Sequence, residues 1–284
     1  MDAWAAVRSD AGLARALRRN RWLLARRTLQ FALLAAFAGA PWLVQGTLAA
    51  SVWFGQVPLT DPLLALQTWL AGTPPARSAV LGALAVGAFY ALCGGRLFCA
   101  WVCPVNLVTD AAEGLRRGLG WQRIGLRADR RLRQLVLALV LVASVVTGSV
   151  VWETVNPIGW TMRALVFGLW SGGAAAVAAV FVFDLLVLRH GWCGHLCPVG
   201  AFYGRLGRAG RLHVRAVKPE ACTRCGECFA VCPEVQVIAP VLRPDAEQRC
   251  IVDADCLRCG RCIDRCDEGV FAFRLAPFTK ERHP

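Results

Sequence analysis

Hydrophobic positions along this chain fall into four long uncharged runs: Thr28 to Thr60, Ser78 to Gly95, Gln134 to Trp152 and Ala164 to Phe183. About 20 apolar residues at 1.5 Å each are needed to cross a hydrocarbon layer of ~30 Å. The runs predict four transmembrane helices, at about 28–52, 78–98, 134–154 and 164–188, within a membrane domain covering 28–205. A basic tail, 1–27, precedes them, and a polar, cysteine-dense segment, 217–278, follows. Between the first two runs, Asp61-Pro62 followed by Leu63, Leu64, Leu66, Trp69 and Leu70 reads as a short capped amphipathic helix ahead of Pro74-Pro75. The fold class expected is an α-helical membrane protein with four transmembrane helices plus a small α+β domain after them.

Composition agrees with the pattern, because 56% apolar residues exceed what an ordinary soluble domain carries. The net charge of +13 suggests a nucleic-acid partner until its distribution is read. Arg8, Arg15, Arg18, Arg19, Arg21, Arg26 and Arg27 precede the first run, and Arg116, Arg117, Arg123, Arg127, Arg130, Arg131 and Arg133 fill the loop between the second and third. The other two connections hold only Arg77 and Arg163. Positive charge collects on the cytoplasmic side, so the charge reports topology: both termini inside a bacterial inner membrane, and no nucleic acid. Arg26-Arg27-Thr28 resembles a twin-arginine export signal, but the apolar run after it is too long, so it is read as an anchor.

The cysteines carry the chemistry. Cys222, Cys225, Cys228 and Cys232, the last followed by Pro233, have the spacing C-x2-C-x2-C-x3-C-P, and Cys256, Cys259, Cys262 and Cys266 repeat it, with Asp267 in place of proline. In two-cluster ferredoxins the fourth cysteine of each run serves the other cluster. The small α+β domain is therefore expected to be a two-cluster, ferredoxin-like cytoplasmic domain, with two [4Fe–4S] clusters on crossed ligands: Cys222, Cys225, Cys228 and Cys266 for the first, and Cys256, Cys259, Cys262 and Cys232 for the second. A zinc ribbon has no use for the fourth cysteine of each run. Disulfides do not suit a compartment that keeps thiols reduced.

There is also an internal repeat. Cys99-Ala-Trp-Val-Cys103-Pro104 follows the second run, and Cys193-Gly-His-Leu-Cys197-Pro198 follows the fourth, 94 residues later. Three readings stay open for these four cysteines: redox-active dithiols, packing at a helix end, or convergence into a third metal or cluster site. Asp184, a carboxylate in the fourth span, is a candidate proton acceptor for a quinol or else the partner of Arg189 or Arg96. Glu153 and Asn156 form an alternative at the opposite end. Cys93 and Cys250 are left over as inert.

Phe98-Cys99-Ala-Trp-Val-Cys103-Pro104-Val-Asn-Leu-Val-Thr-Asp110, then Trp192-Cys193-Gly-His-Leu-Cys197-Pro198-Val-Gly-Ala-Phe-Tyr203-Gly204, and both ferredoxin runs, resemble the NapH family in order along essentially the whole chain. That is the membrane ferredoxin-type quinol dehydrogenase component of periplasmic nitrate reductase systems. Relatives of the same layout are MauN, NosR-like proteins and CcoG-like oxidase assembly factors. The resemblance implies that quinol is the substrate and that electrons pass to a periplasmic iron–sulfur protein, NapG-like, and on to nitrate reductase. A second reading is an assembly or maturation factor that reduces a metal or thiol on a client. The resemblance also raises a problem of sides, since the charge pattern puts the clusters inside and the implied acceptor lies outside.

Overall fold

A computed structural model describes residues 17–121, 129–168, 170–243, 246 and 248–275. Arg8, Arg15, Arg123, Arg127, the first part of the predicted tail and the last three residues of the predicted 217–278 domain lie outside the described residues. Helices occupy all four uncharged runs, with limits that differ from those expected.

Helix α1, Arg21–Gly39, starts before the predicted 28 and stops well short of 52. Pro41 disfavours helix in the residue before it and has no N–H to continue the ladder. Beyond it the chain makes three short strands, β1 Val44–Gly46, β2 Ala50–Trp53 and β3 Val57–Thr60. They pair antiparallel in that order, with Val44 opposite Trp53 and Ala50 opposite Thr60. The last third of the predicted first span is thus a sheet, reversed at Gly46 and Gly55. The capped helix is present as α2, Pro62–Leu70, where Asp61 Oδ1 accepts from the Leu63 N–H at 2.9 Å.

Helix α3, Arg77–Cys93, ends at Gly94, and the one-turn α4, Leu97–Trp101, leads through Cys103 and Pro104 into α5, Val105–Gly118. Helix α6, Arg131–Thr147, is followed by the short α7, Val151–Val155, so the predicted 134–154 holds two helices. The predicted 164–188 straddles a hairpin: α8, Pro157–Phe167, and α9, Trp170–Val182, with the left-handed Gly168 (φ 72°) ending the first. Wider π-type turns carry α9 on through Phe183–Val187. Among the described residues, Trp170–Val187 is the helix long and apolar enough by itself to cross a membrane; Arg77–Cys93 is apolar but shorter. Helix α10, Pro198–Leu206, starts directly after Cys197.

Two close approaches set the interior. Pro58 lies against Gly82 and Pro62 against Gly87, so β3 runs along α3 and carries Asp61 down to the level of Tyr90, one turn before the helix ends. At that end Gly95 and Gly207 meet. A Cβ on Gly95 would fall on the Tyr203 carbonyl, and one on Gly207 on the Gly95 backbone, so the end of α3 touches α10 main chain to main chain.

The cysteine-rich segment is built on β4, Leu212–Ala216, and β5, Phe271–Leu275, paired antiparallel with Ala216 opposite Phe271. Two one-turn helices, α11 Glu227–Val231 and α12 Arg261–Asp264, follow the two cysteine loops. The segment is fastened to the helices by buried polar contacts rather than by a linker. Glu234 pairs with Arg96 at 2.7 Å, Arg130 at 3.2 Å and Arg133 at 3.4 Å. Asp110 pairs with Arg27 and Arg261, and the Asp264 carboxylate accepts from the N–H groups of Trp22 and Leu23 at the start of α1. Trp22 packs edge-on against Phe273, ring centroids 4.7 Å apart.

Candidate functional site

The two ferredoxin-type loops fold alike. In each, the residue before the second cysteine is left-handed, Arg224 at φ 57° and Arg258 at φ 51°, and a left-handed glycine follows that cysteine, Gly226 at φ 80° and Gly260 at φ 75°. Two arginines share a conformation that costs an L residue energy, a strain that persists where the surroundings require the loop shape. Such turns direct successive N–H groups inward, as around an anion. Backbone N–H groups of Phe229, Glu234 and Arg258 meet the sulfurs of Cys228, Cys232 and Cys256, and the Val270 N–H meets Cys266 Sγ at 3.4 Å.

The thiols group across the two runs. Cys222, Cys225, Cys228 and Cys266 line one cavity; Cys232, Cys256, Cys259 and Cys262 line another. The first opens to solvent beside the exposed Cys225, and the second is sealed by Val214, Ile238 and Ile251. Cys228 and Cys262 are near enough for their charges to interact, so the cavities adjoin. Burial pushes both the Cys228 and the Cys256 thiol up to about 11. These thiols are neutral at pH 7, and binding them as thiolates releases protons. Among the described residues no three His, Cys, Asp or Glu side chains converge as around a single metal ion. The cysteines stand instead around spaces, the arrangement a multi-iron cube needs.

The repeated motifs converge as well. Each places its first cysteine in a single helical turn, Cys99 in α4 and Cys193 in the turn Trp192–Leu196, and its second at the head of the next helix. There the N–H groups of Val105 and Asn106 face Cys103, and those of Val199 and Gly200 face Cys197. Every pair among the four cysteines lies within range of mutual charge interaction. Cys99, Cys103 and Cys197 share one buried core with Cys259, which joins this group to the enclosed ferredoxin cavity.

Two residues hold the groups together: Gln30, which the motifs do not mark, and Arg96, expected only as a partner for Asp184. Gln30, fully buried in α1, donates to the carbonyls of Ala100 and Cys103 at 3.2 and 3.3 Å. Arg96, also buried, faces the Cys99 thiol and donates to the Cys193 carbonyl at 3.2 Å, the Asp255 carbonyl at 2.7 Å and Glu234. Asp255 and Glu234 adjoin or nearly adjoin Cys256 and Cys232 in sequence, so one guanidinium touches both groups. Asp184 is buried, and its Oδ1 accepts the Trp192 N–H at 2.9 Å, bracing the turn that carries Cys193. Arg189 pairs with Glu113 at 3.1 Å, and Arg96 with Glu234. Asn156 caps α8 through Ile158 and donates to Glu153 at 2.9 Å, which also faces Arg163 at 3.6 Å. Cys93 and Cys250 line neither cavity.

Comparison with known sequences fits this arrangement. Residues 76–122 and 169–217, each holding one repeated motif, match a family described as "4Fe-4S binding domain", and residues 215–267 match the "4Fe-4S dicluster domain". The methylamine utilization ferredoxin-type protein MauN of Methylorubrum extorquens is 46% identical, covering 95% of each chain. Ferredoxin-type protein NapH of Escherichia coli is 46% identical over 89% of each, and the putative electron transport protein YccM of the same organism is 27% identical over 49% of this chain and 41% of its own. No solved structure matches. The chain carries iron–sulfur binding domains and belongs to the NapH family of ferredoxin-type proteins.

Proposed function

We propose that this protein is a four-span carrier of the bacterial inner membrane, with both termini cytoplasmic, that oxidises membrane quinol and passes the electrons singly through three [4Fe–4S] clusters. Cys222, Cys225, Cys228 and Cys266 hold the outermost cluster, Cys232, Cys256, Cys259 and Cys262 the middle one, and Cys99, Cys103, Cys193 and Cys197 the innermost. One observation supports this reading above the others: three groups of four cysteines follow one another from the buried helix ends to an exposed cavity. Bound clusters supply one-electron transfer at potentials set by hydrogen bonds and burial. The chain's part is to hold them. The N–H groups at Cys103 and Cys197 and the Arg96 guanidinium compensate thiolate charge, and the loop arginines turn further N–H groups toward the outer thiols.

The span count rests on the four uncharged runs and the arginine distribution. Shorter helices suit spans that pack with the sheet folded back among them and that meet the cysteine-rich segment at their inner ends. A NapG-like periplasmic iron–sulfur protein and nitrate reductase as acceptors rest on likeness to NapH alone. MauN is as similar in identity, and its name carries methylamine utilization, so the acceptor is chosen outside this chain. Inward-facing clusters and an outward acceptor are reconciled if quinol itself crosses the membrane or a further subunit completes the route.

Anaerobic purification in mild detergent, with iron and sulfide counted and reduction by a quinol analogue followed by EPR, tests the reading. About twelve irons are expected, four per cluster, falling to about eight when Cys197 becomes Ser. Clusters that accept electrons from dithionite but ignore quinol remove the quinol part, and a wild-type count near eight removes the innermost cluster.

A further inference from the structure

Helix α1, the three-stranded sheet and α3 enclose a cavity of about 310 Å³ that belongs to none of the cysteine groups. Its walls are apolar, from Leu33, Phe37, Trp53, Leu59, Val86 and Phe89. Phe89 is also largely exposed on the outer face of α3, beside the exposed Leu81, Leu84 and Leu92, so the cavity adjoins the apolar surface of the molecule. Its polar lining comes from Ser51, Thr60, Asp61, Tyr90 and Tyr203. Asp61 and Tyr203 both line it, and the Tyr203 hydroxyl donates to Asp61 Oδ1 at 3.2 Å. The Leu63 N–H takes the same oxygen, and Oδ2 accepts nothing among the described residues. Tyr90 and Phe98 pack around Tyr203, with Phe98 stacked on it at 5.0 Å. Phe98 and Val102 line the cavity too, and each is the chain neighbour of a cysteine of the innermost group, Cys99 and Cys103.

An apolar cavity of this size with a few polar groups in its lining is the usual form of a small-molecule site. The ligand it fits is flat, lipid-soluble and a hydrogen donor at one end. No Lys or Arg lines the cavity, so an anionic headgroup has no counter-charge there. A hydroquinone ring meets each requirement, with its isoprenoid tail leaving past Phe89.

We propose that this cavity is the quinol site, with one ring hydroxyl donating to Asp61 Oδ2 and Asp61 acting as the catalytic proton acceptor. The inference rests on the quinol-oxidation reading above and names its site. On oxidation both ring O–H bonds break. One proton goes to the Asp61 carboxylate, held in place by Tyr203, and the other to water. The two electrons pass singly to two oxidised [4Fe–4S] clusters, which are each reduced by one, and quinone departs. The position of the cavity against Cys99 and Cys103 puts the donor next to the innermost group.

The test uses detergent-purified full chain with its clusters and the fluorescent quinol analogue 2-heptyl-4-hydroxyquinoline N-oxide. In Asp61→Asn the helix cap survives, since Asn caps as well as Asp. Its affinity for the analogue should stay within a few-fold, while cluster reduction by decylubiquinol or a menaquinol analogue slows about 10²-fold or more, the typical worth of a general base. Dithionite should still reduce every cluster. Val86→Trp fills the slot and should abolish binding of the analogue, with intact dithionite reduction reporting that the chain has folded. Wild-type binding and quinol rates in both variants overturn this site, as does a loss confined to Asp184→Asn. Displacement of the analogue by phospholipid, with quinol reduction unchanged, marks the cavity as a lipid seat and also overturns it. If the wild type itself ignores both quinols, it is the reading beneath that fails, a result distinct from all of these.

Discussion

Glu234 is 3% exposed and faces Arg96, itself 1% exposed, and Arg133 at 3%. Replacing it by Ala takes from the buried Arg96 its ion-pair partner and leaves Arg133 with Asp255 alone. Breaking a buried pair from one side costs about 3–5 kcal/mol, because the remaining charge stays desolvated. At 1.36 kcal/mol per tenfold change, the constant for lifting the cysteine-rich segment off the helices should rise by roughly 10²–10⁴. A brief thermolysin pulse over a urea series, applied to the protein in liposomes, reads that constant as the fraction of segment cleaved when opening is fast relative to cleavage. Asp255 keeps its contact with Arg133, so the lower half of the range is expected first. A second variant isolates the cause. Arg96→Met with Glu234→Leu removes the nearest pair together, leaves Arg133 on Asp255 and should recover part of the loss, since apolar replacement of a buried pair is often neutral or stabilising. A change below tenfold in Glu234→Ala, or a double variant no firmer than the single, refutes the account of how the two parts are joined.

Burial alone would raise the Asp110 carboxyl, but Arg261 and Arg27 beside it, with His190 and Arg26, hold it below the usual 3.8. Its contribution is therefore complete above about pH 4 and is lost as the pH falls through the depressed value. Hydrogen exchange should show α1 loosening in that acid range, and Asp110→Asn should remove the step and lower protection at neutral pH. Gly95→Ala and Gly207→Ala each drive a methyl into backbone, and both should destabilise by about 1–3 kcal/mol or more, seen as an earlier urea midpoint for cluster loss. The crossed groups make an asymmetric prediction for alkylation. In Cys266→Ser, although it lies in the second run, iodoacetamide should label Cys222, Cys225 and Cys228 and spare Cys232, Cys256, Cys259 and Cys262; labelling of the second run instead would show that each run serves its own cluster.

The cysteine groups were legible because thiol spacing is a local code: three cysteines two apart make one loop, and the fourth is placed by the turn that follows. The converging motifs were legible only as a repeat, since i and i+4 cysteines do not reveal what lies opposite. The first span was misjudged in length for a physical reason. Thr28 to Thr60 is uncharged throughout, and hydropathy does not distinguish a helix from a sheet folded back into the same apolar interior. Pro41, Gly46 and Gly55 are the punctuation that marks the change, and they stand inside the run. Likewise Gly168 sits inside a stretch that looks continuous in hydropathy. Asp61 was read as a helix cap, which it is; its contact with Tyr203 spans 142 residues, and nothing in the local sequence signals it. The pairing of Arg96 with Glu234, 138 residues apart, has no local signal either.

The division of each group between separated parts of the chain has a bearing on its manufacture. No group can be closed by a single stretch of polypeptide. The four cysteines at the helix ends are complete once Cys197 has been made, those of the enclosed cavity once Cys262 has, and those of the open cavity only with Cys266. The groups are therefore completed in sequence, from the helix ends to the open cavity. Both repeats of the Cys-x3-Cys-Pro motif must be made before the first group of four is whole, so a chain that stops short of Cys197 offers no complete set of four thiols.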